Sequence, residues 1–171
     1  MLLRPLHPLH YDLAYFAGMK FVVIILWLPI AVILTLLFHP TFNTTPFDVA
    51  VFAAAIWGAY LIRSMLLWLL GMMTFWTTRV SALYELYFAI ELLLSGRLVP
   101  LSLMPSWAQK LASFLPFQWT FGYPIEALIG QLSLQQLLLG LGMQVFWIVA
   151  SWLLVRLVWH FGIRHFSSVG N

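Results

Sequence analysis

Residues 21–38 constrain the fold more than any other part of the chain. The run "FVVIILWLPIAVILTLLF" has no charged side chain, and only Pro29 and Thr35 interrupt its apolar character. Eighteen such residues predict a transmembrane helix, because in lipid the backbone must pair its own polar groups. The chain is 63% hydrophobic and 8% charged, whereas soluble domains carry about a quarter charged residues. We therefore predict an integral membrane protein.

Several classes of function are excluded by what the sequence lacks. The net charge of +3 is too small and too scattered to indicate nucleic-acid binding. There is no cysteine, which excludes disulfides and thiol chemistry. Neither the phosphate-binding loop of nucleotide hydrolases nor the common hydrolase motifs are present. We therefore expect no enzyme activity, no catalytic residue, no metal site and no cofactor bound by this chain.

The apolar pattern predicts an all-α protein with four spans, over residues 20–38, 48–76, 80–95 and 134–159. Residues 48–76 would be about 43 Å long as one helix, more than the hydrocarbon thickness of about 30 Å. This segment is either one tilted helix with Arg63 near its middle or two helices hinged there. We favour the single helix, because no turn-forming residues flank Arg63. We expect Gly140 and Gly142 to be close-packing positions.

The stretch before the last span has a different pattern. In "SGRLVPLSLMPSWAQKLASFLPF", residues 95–117, the side chains of Trp107, Leu111 and Phe114 recur at helical spacing. This predicts a short amphipathic helix in the membrane interface. We expect its apolar face to cover the outer end of the bundle, while Gln109 and Lys110 meet water.

The segment that follows, residues 117–130, is apolar but is cut at Gly122 and Pro124. It is too short and too broken for a full span. We predict that Pro116 stops the preceding helix, because a proline lacks the backbone donor and restricts the residue before it. Residues 105–130 are therefore expected to form an interfacial helix and a re-entrant segment.

Three charges fall within the predicted spans: Arg63, Glu85 and Glu91. Each costs at least a few kcal/mol in a bilayer, so such residues usually face the protein interior and pair. Glu85 and Glu91 are about 120° apart on a helix and do not share one face. Two interpretations stay open: the charges pair to hold the bundle together, or they line a polar path.

The positive residues predict the orientation, since Lys and Arg prefer the cytoplasmic side. With both termini in the cytoplasm, five basic residues lie inside, Arg4, Lys20, Arg79, Arg156 and Arg164, and Arg97 and Lys110 lie outside. We therefore predict a multi-pass plasma-membrane protein, with residues 1–19 as a cytoplasmic surface segment.

Two parts of the sequence resemble a known family. "SGRLVPLSLMP" (95–105) followed by "LPFQWTFGYPIEALIG" (115–130), together with "LLRPLHPLHYDLA" (2–14), is similar to the permease subunits of bacterial ABC type-2 exporters. The resemblance implies an export component that works with a separate ATPase subunit, which uses the ATP, and with a second permease subunit. Family members usually have six spans, so the first two are expected to be missing here.

The resemblance also implies site residues. A short extracellular element before the last span caps the translocation path in this family. The candidate outer gate is Arg97, Pro100, Trp107, Leu111, Phe114, Gly122, Pro124 and Glu126. The candidate ATPase-facing residues are Arg4, Pro5, His7, Pro8 and Asp12. The alternatives are a non-transporting assembly or structural protein and, less favoured, an intramembrane lipid-modifying enzyme.

Overall fold

The computed structural model describes residues 8–39 and 44–165, and within them it is entirely helical. The fold class predicted from the sequence is therefore confirmed. The seven α-helices of the described residues are α1 (Pro8–Phe38), α2 (Pro46–Met72), α3 (Val80–Leu94), α4 (Ser106–Phe114), α5 (Pro116–Thr120), α6 (Gly122–Ile129) and α7 (Leu134–His165).

The first helix forms a unit of its own within residues 1–42. It begins at Pro8, where the missing backbone N–H of proline would have no partner in any case. It continues through Pro29 to Phe38 without a boundary near residue 20, so the helix is longer than the predicted span. Its apolar stretch has no buried side chain.

Three helices of the described chain are long and apolar enough to cross a membrane: His10–Phe38, Pro46–Phe75 and Leu134–Ile163. The third predicted span is helical as expected, but α3 has only 15 residues. About 20 are needed to cross the hydrocarbon. The count of four spans is therefore not confirmed.

In the second unit, residues 43–171, α2 and α7 run parallel. Near their N-terminal ends, Val51 and Leu137 share one buried cluster. Near their C-terminal ends, Trp68 stacks on Trp159 with ring centroids 5.4 Å apart. The helix α2 is continuous through Arg63, which confirms the single-helix interpretation.

The start of α2 is fixed by a capping box. The hydroxyl of Thr45 accepts a hydrogen bond from the backbone N–H of Asp48, and the Asp48 carboxylate accepts one from the backbone N–H of Thr45. These bonds satisfy donors that a helix end otherwise leaves unpaired. The helix therefore starts at a defined point.

The helices α3 and α6 occupy successive stretches of α2. Because the Tyr84 hydroxyl donates to the Leu67 carbonyl at 3.0 Å and Glu91 reaches Arg63, α3 runs antiparallel to α2. The end of α3 at Ser95 lies against Gly122, the first residue of α6. At the far end of α6, the Thr44 hydroxyl donates to the Leu128 carbonyl at 2.7 Å. Residues 96–121 are thus inserted between two short helices that follow one another along α2.

The packing of α4 differs from the prediction. The side chains that contact the rest of the unit are Ala108 and Ala112, which are 5% and 0% exposed. Trp107, Leu111 and Phe114 are 69%, 45% and 78% exposed, so the expectation that they cover the bundle is wrong. Alanines allow two helices to approach closely, whereas in a membrane lipid covers large apolar side chains as well as protein does. The periodicity predicted which side chains form the apolar face, but it did not predict that this face is exposed and that the two alanines are buried instead.

The prolines of this region have different effects. Leu115 is extended and Pro116 starts α5, so Pro116 ends α4 as predicted. Pro124 does not break the following segment, because it lies in the first turn of α6, where a proline is tolerated. The break is at Phe121, which has φ −139° and ψ −59° between the two helices.

Candidate functional site

Arg63 and Glu91, two of the three charges predicted to lie within spans, form an ion pair between α2 and α3. The Arg63 Nε lies 2.8 Å from Oε1 of Glu91, and the second guanidinium nitrogen, Nη2, donates a hydrogen bond to Oε2 at 3.0 Å. The Nε contact lacks the alignment of a hydrogen bond, so only the Nη2 contact is one. Two parallel contacts fix the guanidinium in one orientation. The pair places almost no net charge in the bundle.

The surroundings of the pair join three helices. Tyr87 is half-buried on α3, one turn before Glu91. Its ring meets the ring of Phe117 on α5, with centroids 5.6 Å apart. Glu85 lies elsewhere: it is exposed on α3 and forms no ion pair with another described residue. Of the three predicted charges, two are brought together and the third is left outside.

A second polar contact lies on α7. The side-chain amide of Gln144 is buried, and its Nε2 donates to the Ala55 carbonyl at 2.9 Å and to the Trp119 carbonyl at 2.8 Å. One side chain therefore joins α2, α5 and α7. Gly58 makes this possible, because a Cβ at that position would lie 2.6 Å from Oε1 of Gln144.

A third contact fixes α6 against α7. The Tyr123 hydroxyl donates to the Leu137 carbonyl at 2.7 Å, and the ring is buried over Gly140. A Cβ at Gly140 would overlap that ring, whereas a Cβ at Gly142 would meet no atom within 4 Å. Gly140 is a close-packing position as predicted. The same prediction for Gly142 is wrong, because this residue lies on the exposed side of α7.

The two ends of the insert, residues 96–121, lie close together, and this place is called the base of the insert. Gly96 has φ +78°, a conformation that favours glycine, and it turns the chain out of α3. A Cβ at Gly122 would lie only 3.0 Å from the Ser95 carbonyl oxygen, so the two ends of the insert approach closely. The Arg97 guanidinium lies over the ring of Phe121, 5.7 Å from its centroid.

The remaining gate candidates are scattered around this base. Pro100 is exposed and precedes a 3₁₀ turn at Leu101–Leu103. Pro124 is buried in α6, and Glu126 is half-buried further along that helix. Arg97 and Gly122 lie together at the base, whereas Trp107, Leu111 and Phe114 point away from the bundle. The structure therefore does not gather the predicted gate residues into one cluster.

The candidate ATPase-facing residues are only partly described. Arg4, Pro5 and His7 lie outside the described residues. Pro8 is the first residue of α1, and Asp12 lies in its second turn. Their contact with an ATPase stays a prediction.

The residues that sequence reasoning missed are Gln144 and Tyr123. Gln144 is the one strongly polar side chain within residues 137–150, and an amide inside a span needs hydrogen-bond partners. That signal was available. Tyr123 had no such signal, because its partner is a backbone carbonyl.

The contact between Gly58 and Gln144 predicts a non-additive pair of mutations. Gly58→Ala alone should destabilise the protein by about 1–3 kcal/mol, because the new methyl group displaces the Gln144 amide. In a Gln144→Ala background the same change should be nearly neutral. The free energy of unfolding in detergent, measured for both single variants and the double variant, gives the coupling. Strict additivity would show that the backbone at Gly58 does not closely approach the Gln144 amide in the folded protein.

Residues 1–170 match the model of the family described as ABC-2 family transporter protein. The chain matched no curated protein and no solved structure.

Proposed function

Because the chain belongs to the ABC-2 transporter family, we propose that it is the permease subunit of an ATP-driven exporter. The family match over residues 1–170 is the observation that carries this proposal. The partners would be a second permease subunit and a separate ATPase subunit that hydrolyses the nucleotide. The plasma membrane, with both termini in the cytoplasm, is part of the same proposal and follows from the distribution of Lys and Arg.

Within this permease, residues 105–130 act as an outer gate. The support is the way the segment is held: α6 packs into a buried apolar cluster with α2 and α7, and two specific hydrogen bonds join α5 and α6 to α7. These are the bonds from Tyr123 to Leu137 and from Gln144 to Trp119. Each neutral hydrogen bond stabilises by about 0.5–1.5 kcal/mol. Such contacts are strong enough to hold a closed state and weak enough to be released when a partner moves.

The ion pair fits the structural interpretation of the intramembrane charges. Arg63 and Glu91 neutralise each other and tie α3 to α2. They hold the framework against which the gate closes. The exposed Glu85 is the charge left available for a polar path.

Assembly tests the proposed function. We expect an affinity-tagged chain, co-expressed with an ATPase and a second permease encoded beside it, to retain both through purification. The assembled complex should hydrolyse ATP, and replacing the lysine in the ATPase phosphate-binding loop should abolish hydrolysis without releasing the chain. A chain that purifies alone under these conditions supports the non-transporting alternative.

A pair of tyrosine variants tests the gate separately. Tyr123→Phe removes one hydroxyl from the gate contact, and Tyr84→Phe removes one hydroxyl–carbonyl bond from the α2–α3 contact. Each should cost at most about 1.5 kcal/mol of stability. We expect only Tyr123→Phe to raise the leak of a small fluorescent anion from proteoliposomes. Equal, unchanged leak in both variants would show that residues 105–130 are a static plug.

A further inference from the structure

One face of α7 carries an exposed row of side chains that is apolar at first and polar at its end. At about 100° per residue, its members share an arc of about 80° on the helix. We call this row the α7 stripe, and it consists of Val145, Val149, Trp152, Arg156 and His160. All of them are exposed, whereas the buried face of α7 is centred about 120° away. The stripe is therefore turned away from the rest of the unit.

The Arg156 guanidinium is held over the indole ring of Trp152. Its Cζ lies 4.7 Å from the ring centroid, within the distance at which a cation and an aromatic face attract each other. Stacking uses the flat face of the guanidinium and leaves the N–H groups at its edge available to an acceptor. The fork of these N–H groups matches the geometry of a phosphate.

No carboxylate of the described residues neutralises Arg156. All five acidic residues of the chain precede residue 127, and Arg156 forms no ion pair within the part of the chain that the structure describes. His160, one turn further along α7, is also exposed and adds a ring nitrogen that can donate a hydrogen bond. This end of the stripe therefore offers donors and positive charge to an acceptor from outside the unit.

The tryptophans place Arg156 at the level of the lipid headgroups. Trp152 and Trp159 flank it along α7, and Trp159 stacks on Trp68 near the end of α2. Tryptophan is enriched where hydrocarbon meets water. At about 1.5 Å per residue, the stretch from Val145 to Arg156 is about 16 Å long. That is about half of the hydrocarbon thickness of about 30 Å, which is the depth of one leaflet.

We propose that the α7 stripe binds one anionic phospholipid. The headgroup phosphate accepts hydrogen bonds from Arg156 and His160, and an acyl chain lies along Val145 and Val149. The order of side chains in the stripe matches the order of groups in such a lipid, with charge at one end and hydrocarbon over the rest. Basic side chains beside a transmembrane helix attract anionic headgroups. The inference needs only that the chain lies in a membrane, and it stands whether or not the protein exports a substrate.

Two other occupants fit the stripe less well. A free phosphate ion would use Arg156 and His160 but would leave the apolar half of the stripe without a role. A second copy of the chain would have to offer Glu85, the one exposed carboxylate of the described residues. The stripe also has none of the small residues that let two helices approach closely in a membrane.

Counting bound lipids tests the proposal. The full chain is equilibrated with micelles that contain equal amounts of phosphatidylglycerol and phosphatidylcholine with the same acyl chains, and native mass spectrometry counts each lipid on the protein. We expect bound phosphatidylglycerol to exceed bound phosphatidylcholine severalfold in the wild type. Arg156→Gln should lower this ratio by about fivefold, because it removes the charge that faces the phosphate.

Two further variants serve as a control and as a second test. Arg79→Gln removes another exposed arginine, which is not part of the stripe, and should leave the ratio nearly unchanged. Trp152→Leu keeps the guanidinium and an apolar side chain but removes the ring that positions Arg156. It should lower the ratio by a smaller factor, and it keeps the proposal testable if Arg156→Gln does not fold.

Three results would overturn the proposal. Equal losses in Arg156→Gln and Arg79→Gln would show a general attraction of surface charge. Displacement of phosphatidylglycerol by an equal amount of glycerol phosphate, which has no acyl chain, would show a site for free phosphate. A dimer that is lost in both Arg156→Gln and Glu85→Gln, in a wild type without a preference for phosphatidylglycerol, would show an interface between copies.

Discussion

Replacing Arg63 with Ala is expected to destabilise the protein by about 3 kcal/mol, because Glu91 would keep a buried charge without its partner. Breaking a buried pair costs about 3–5 kcal/mol. We place this pair at the lower end because the Arg63 side chain is 32% exposed, although that of Glu91 is only 11% exposed. The measurement is the free energy of unfolding in detergent or the midpoint of thermal unfolding.

A matched set of variants separates the pair from its individual charges. The double variant Arg63→Met, Glu91→Leu removes both charges and keeps apolar volume, so it should be much less destabilised than Arg63→Ala. Glu85→Gln, on the same helix but exposed, should change stability by less than about 0.5 kcal/mol. A double variant as unstable as the single one would show that the contact between the two charges does not explain the loss.

Adding one methyl group at Gly140 is the second change with a large expected effect. In Gly140→Ala the new Cβ overlaps the buried ring of Tyr123, which the bond to Leu137 holds in place. Overpacking of this kind costs about 1–3 kcal/mol. Thermal unfolding should show the loss, together with a smaller folded fraction on size exclusion.

The control for this change lies two residues away. Gly142→Ala meets no atom within 4 Å and exchanges glycine for a better helix former. It should be neutral or slightly stabilising. In a Tyr123→Leu background, Gly140→Ala should lose most of its effect. If Gly140→Ala and Gly142→Ala behave alike, the close approach of α6 to α7 is not present in the folded protein.

Local patterns predicted the helices well. The long α2 follows from an apolar run without turn-forming residues, and the end of α4 follows from Pro116. The end of α7 was set too early, at residue 159. Hydropathy falls near Arg156 and His160, but a helix can continue after its side chains leave the hydrocarbon.

Contacts between residues that are far apart in the sequence were harder to predict. The need of Arg63 for a carboxylate could be predicted, but the choice of Glu91 over Glu85 depends on the register between α2 and α3. Likewise, the period of Trp107, Leu111 and Phe114 is visible in the sequence, while the face that meets the protein depends on two alanines. In lipid, apolar character does not distinguish inside from outside, since both environments are apolar. The family match over residues 1–170 confirmed the resemblance to ABC-2 transporters, whereas the gate residues and the partners that the resemblance implies stay predictions.

The meeting of α3 and α6 at Ser95 and Gly122 also has an electrostatic consequence. Every peptide unit carries a dipole along the helix axis, so the end of α3 bears partial negative charge and the start of α6 bears partial positive charge. These opposite ends face each other part-way along α2. Their attraction offsets part of the cost of leaving carbonyl and amide groups without helical partners. Any movement that separates α3 from α6 would therefore have to offset the loss of that attraction.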